Sequence, residues 1–138
     1  MCIRDRHWQL CLVDDASTSA ETVRVLEEYS TRDPRITVVR LAENGHISRA
    51  SNAGLDVATG TFVALLDHDD TLSPDALLEM ARAINASPDL DFLYSDEDKL
   101  DETGARCDPY FKPDWSPEHF LNFMYTNHLM VLRRSVVE

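Results

Sequence analysis

The chain alternates short apolar runs with stretches of helical period, and three of the runs end in acid. "LCLV" (10–13) leads into Asp14-Asp15, "TFVALL" (61–66) into Asp67-His68-Asp69-Asp70, and "DFLYS" (91–95) into Asp96-Glu97-Asp98. Unbroken apolar runs of this length read as strands buried on both faces. "ITVVRL" (36–41), rich in β-branched residues, and "NHLMVLRR" (127–134) read as two further strands.

Helical spacing fills the gaps. In 18–33, Thr22, Val25, Leu26 and Tyr29 share a face, Thr18 and Glu21 fit a capping box, and Pro34 ends the segment. In 44–60 the stripe is Ile47, Ala50, Ser51, Gly54, Leu55 and Ala58, small enough for close packing on a sheet, with Gly60 suited to the helix end. Ser73 and Pro74 are placed to start a third helix whose inner side is Leu77, Ala81 and Ile84. Residues 99–117 show no period and carry three prolines. Strands alternating with helices predict an α/β fold with a largely parallel sheet of the nucleotide-binding kind, in which ligands bind at the carboxyl ends of strands.

Composition narrows the class. The 138 residues suit one domain, and a hydrophobic content of 43% is enough for a core. With 25 acids against 13 Lys and Arg, the net charge is −12, which excludes nucleic acid or an anionic membrane bound through bulk charge. Cys2, Cys11 and Cys107 form no CxxC pair and read as free thiols in a reducing compartment. No HExxH pattern occurs, no apolar run approaches the ~20 residues that span a bilayer, and the charged "MCIRDRHWQ" is not a secretory signal.

Asp67, Asp69 and Asp70 are the candidate metal ligands. In an extended turn, carboxylates two apart point the same way, and such oxygens suit a hard cation, Mg2+ or Mn2+. A polar turn capping the next helix is the competing reading. An EF-hand is excluded, because Leu72 and Leu78 stand where that loop needs glycine and glutamate. Asp14 and Asp15 either accept hydrogen bonds from a nucleobase and ribose or form an Asx turn. Asp96-Glu97-Asp98 reads as a solvated turn, Arg49 as a surface arginine or a diphosphate contact, and His68 as a loop residue. Tyr110 and Trp115, in "PYFKPDW", either line a sugar-binding surface or pack over the sheet edge.

In order and spacing, "LVDDAS", "NGHISRASNAGLDVATGTFVALLDHDD", "YSDEDK" and "PYFKPDWSPE" resemble the family 2 glycosyltransferases, in particular bacterial enzymes of O-antigen and related surface-polysaccharide synthesis. The likeness implies a GT-A (Rossmann-like) fold over 8–138, with 1–7 an unassigned leader. It implies inverting transfer of a sugar from a nucleotide-sugar donor to a glycan or lipid-linked glycan acceptor. Asp14-Asp15 then meet the base and ribose, and Asp67-His68-Asp69 is the DxD motif, its acids on the ribose and on a divalent metal, Mn2+ or Mg2+, with Asp70 extending it. In many members an arginine precedes the asparagine of the "NxGL" segment; here Ser51 precedes Asn52 and Arg49 lies two positions off. The family's first strand is missing and its general base is expected beyond Glu138, so the chain is expected to be a truncated piece that transfers nothing alone. A cytoplasmic location, at the inner face of the membrane through segments outside this chain, goes with that reading.

Two rivals remain. Asp67-His68-Asp69-Asp70-Thr71-Leu72 also fits the nucleophile loop of haloacid-dehalogenase-like phosphatases, with Asp67 as nucleophile, Asp69 as acid/base, and Ser95 and Lys99 in support. The other is a non-catalytic acidic α/β module of a longer protein.

Overall fold

The structure, a computed structural model, describes residues 7–137, so the expected leader lies outside it except for His7. The chain divides into two units, one reaching to Thr61 and one spanning Phe62–Val137.

The first unit is a strand-helix-strand-helix run: β1 (Leu10–Asp14), α1 (Ala20–Arg32), β2 (Ile36–Arg40) and α2 (His46–Val57). β1 and β2 pair in parallel, from Leu10 opposite Ile36 to Asp14 opposite Arg40, with α1 as the crossover that parallel pairing requires. The cap of α1 is Ser19, one residue later than the predicted Thr18. Its extended backbone lets Oγ accept the Thr22 N–H at 3.3 Å. α2 lies close to β1: a Cβ on Gly54 would stand 3.3 Å from Val13 Cγ2. Gln9 ties the two together, donating to the Val57 carbonyl and accepting from the Thr59 N–H and hydroxyl. α2 stops at Val57 because Ala58 turns extended, so Gly60 is not the helix end.

The second unit contains β3 (Phe62–Leu65), α3 (Ala76–Ala86), β4 (Phe92–Tyr94), β5 (Glu97–Leu100), β6 (Arg106–Tyr110), α4 (Pro117–Phe120), β7 (Met130–Arg133) and α5 (Arg134–Val137). Its main sheet has the order β3-β7-β4, with β7 antiparallel to both neighbours. The chain is therefore mixed α/β, but among the described residues only β1–β2 is a parallel pair. A strand-helix alternation reports how successive strands are joined. It carries no signal for a late strand that inserts between two earlier ones.

Leu93, Leu129 and Val131 form the buried core of this unit, with Phe62, Met80, Ala83, Ile84 and Leu90 packed around them. The inner stripe of α3 is thus Met80, Ala83 and Ile84, and the predicted Leu77 is exposed. The helix also begins later than predicted. Ser73 donates its hydroxyl to the Asp75 carboxylate instead of capping, and Asp75 takes the cap position. The aperiodic 99–117 segment contains β6 and the second half of β5, which pair as a hairpin. Its turn is held by Asp101, whose carboxylate accepts the N–H groups of Thr103 and Ala105, and Gly104 supplies the required positive φ of 80°. Beyond the hairpin, part of "PYFKPDW" touches the sheet, while Phe111 is exposed. Trp115 meets Phe92 edge-on at 5.7 Å, and the Tyr94 hydroxyl donates to the Pro113 carbonyl.

Candidate functional site

Past the end of β3 the main chain closes a tight turn, with the Asp70 N–H donating to the Asp67 carbonyl at 3.2 Å. The turn therefore brings together carboxylates three positions apart rather than two. His128, in the loop before β7, lies between them. Its Nδ1 is 3.0 Å from Asp70 Oδ2 and its Nε2 is 3.5 Å from Asp67 Oδ2. One ligand atom from each of Asp67, Asp70 and His128 falls within 4.8 Å of the others. Asp69 is outside this group: its side chain is 77% exposed, 3.9 Å from the His68 ring, which is itself solvated as predicted for a loop residue.

Two carboxylates and an imidazole make a donor set that fits a divalent ion. Hard oxygens dominate, as Mg2+ and Mn2+ prefer, and the single nitrogen tilts the choice towards Mn2+. Both nitrogens of the ring face acids, so either places a ligand atom beside a carboxylate. Asp70 and His128 also line a cleft of about 400 Å³, together with Leu66, Ser73, Ser95 and Tyr110.

The loop carrying His128 is fixed from behind. Lys112 Nζ, on a side chain only 1% exposed, donates to the carbonyls of Asn127 (2.7 Å) and His128 (3.0 Å) and pairs with Glu97 Oε2 at 3.1 Å. Glu97 also accepts the His128 N–H, and the Ser95 hydroxyl accepts the Leu129 N–H. Asp96-Glu97-Asp98 is consequently not the solvated turn predicted. Glu97 and Asp98 lie in β5, Asp96 accepts the Lys112 N–H, and Asp98 pairs with Arg106 across the hairpin. Ser95 accepts a main-chain N–H and Lys99 lies 3.9 Å from Asp108, and both line the cleft with Asp70.

In the first unit, Asp14 and Asp15 are held by main chain. Asp14 is 6% exposed and accepts the Ser17 N–H at 2.8 Å. The Ser17 hydroxyl and N–H hold its carboxyl below the usual carboxylate range, aided by Arg40 and opposed by burial. Asp15 accepts the Gly45 N–H at 2.7 Å, which fixes the entry to α2. The Arg49 guanidinium pairs with Glu43 at 2.9 Å.

Sequence reasoning missed His128 and Lys112. His128 stands in what reads as strand, with no spacing that links it to residue 67. Lys112 had no clear signal either, since its neighbours Phe111 and Trp115 are largely exposed.

Among the described residues no helix is long and apolar enough to cross a membrane. A sequence model described as glycosyl transferase family 2 matches residues 3–138. An uncharacterized protein of Sinorhizobium fredii is 48% identical over 131 residues, which is 95% of this chain and 14% of that protein. The O-antigen biosynthesis protein RfbC of Myxococcus xanthus is 45% identical over 130 residues, 94% of this chain and 10% of its own length. A chondroitin synthase of Escherichia coli is 29% identical over 121 residues, 87% of this chain and 17% of its own. The chain spans between 10% and 17% of the length of these relatives. With its strand-end acids in order and the match running nearly end to end, the chain belongs to glycosyl transferase family 2.

Proposed function

We propose that this chain is the nucleotide-sugar-binding part of an inverting GT-A glycosyltransferase that works in bacterial surface-polysaccharide synthesis. The convergence of Asp67, Asp70 and His128 beside the acidic cleft carries the reading. An acidic chain that binds a diphosphate must cancel its own repulsion, and in this corner two carboxylates meet at one imidazole with no main-chain donor to either among the described residues. A bound Mn2+ or Mg2+ would neutralise charge growing on the departing nucleoside diphosphate, an interaction stronger in the transition state than in the substrate. The turn supplies Asp67 and Asp70, His128 completes the set, and the exposed Asp69 is a third acid next to Asp70.

Asp14 and Asp15 are proposed to meet the base and ribose, as the family likeness implies. Arg49 would have to release Glu43 before it could reach a phosphate. The acceptor is a glycan or lipid-linked glycan. The relatives named for O-antigen biosynthesis and chondroitin synthesis support that class. A cytoplasmic site of action goes with a nucleotide-sugar donor.

Calorimetric titration with a panel of nucleoside diphosphates and nucleotide sugars, with and without Mn2+, tests the reading. Binding to one nucleotide that strengthens with Mn2+ is expected. No heat from any ligand in either condition would leave the chain as a non-catalytic module.

A further inference from the structure

The Lys112 side chain is only 1% exposed, and no role assigned so far uses its charge. Its ammonium has three protons and three acceptors: Glu97 Oε2, the Asn127 carbonyl and the His128 carbonyl. Residues 127 and 128 precede β7, so no sheet ladder satisfies their main-chain groups. The Lys112–Glu97 pair takes over that role. Lys112 holds both carbonyls, and Glu97 holds the His128 N–H.

We infer that Lys112, through Glu97, is a positioning residue that sets the backbone of 127–128 and thereby presents the His128 ring to Asp67 and Asp70. The inference rests on the proposed metal site for its consequence, but not for its geometry. An ammonium is suited to this task because its protons rotate to meet three converging acceptors. A planar guanidinium would send its donors outward in a fork. Burial sharpens the dependence: without Lys112, two carbonyls lose their partner and Glu97 is left without its cation, close to the other acids of the cleft.

The test compares Lys112→Met with the double variant Glu97→Leu/Lys112→Met. Free Mn2+ is read by electron paramagnetic resonance, folding by circular dichroism, and the His128 amide by 1H–15N spectra at fixed pH. Lys112→Met is expected to lower Mn2+ affinity about tenfold, the low end of what loss of an outer partner costs a metal site. The double variant leaves no unpaired buried charge, so it regains stability without regaining affinity. It carries the test if the single variant does not fold. Affinity that recovers together with stability would overturn the inference, since a merely structural role predicts it. So would an unmoved His128 amide with unchanged affinity. If the wild-type chain binds no Mn2+ while the His128 amide still shifts in Lys112→Met, where Glu97 remains to accept it, the positioning role stands and the metal reading falls.

Discussion

The acids after β1 and the acids after β3 look alike in the sequence, yet the structure treats them oppositely. Asp14 and Asp15 each accept a main-chain N–H, from Ser17 and Gly45. Those bonds shape the turn after β1 and the start of α2. Asp67 and Asp70 instead face each other across one imidazole and stand half in solvent. A carboxylate satisfied by amides is stable without a counter-ion. Carboxylates gathered without amides repel, and their arrangement makes sense when a cation joins them. The neighbours, rather than the presence of aspartate, separate an acid already held by main chain from an acid left to meet a cation.

The largest effect should come from the corner after β3. Asp67→Asn, Asp70→Asn or His128→Ala is expected to weaken Mn2+ binding by more than the roughly 100-fold that loss of an outer partner can cost. Equilibrium titration against free Mn2+ measures it, and full affinity in all three would dissolve the contrast. Asp14 should show the reverse pattern. Asp14→Ala leaves the Ser17 N–H without its acceptor, at a cost of about 1–3 kcal/mol in urea unfolding, with Mn2+ affinity unchanged.

A smaller effect concerns pH. The Asp14 carboxyl sits below its ordinary 3.8 in the folded chain, so it binds its proton more weakly folded than unfolded. Its contribution is complete above that ordinary value and is lost as pH falls through the lowered one. Urea unfolding from about pH 5 to about pH 3 should show stability falling less steeply in Asp14→Asn than in the wild type. Equal slopes would mean that Ser17 does not hold the charge.

The local order of the chain was legible because apolar runs and helical stripes are short-range signals. β1, α1, β2 and β3 lie where the patterning predicts them, within a residue or two, and α2 stops three residues short of Gly60. The β5–β6 hairpin was not legible, since its strands Glu97–Leu100 and Arg106–Tyr110 are largely polar and have one register irregularity. α3 was found with its inner face turned by about one position. Met80 and Ala83 and Leu77 and Ala81 are both helical stripes, and only the position of Leu93 and Val131 selects between them.

By itself, the sequence determined the family, the α/β succession and the anionic strand ends, because each depends on residues near one another in the chain. The partner of each acid was decided in three dimensions. His128 reaches Asp70 across 58 positions, and Lys112 reaches the His128 carbonyl across 16. Such pairings depend on a late strand entering between two earlier ones. No periodicity encodes that event, because its energy comes from burying Leu93, Leu129 and Val131 together.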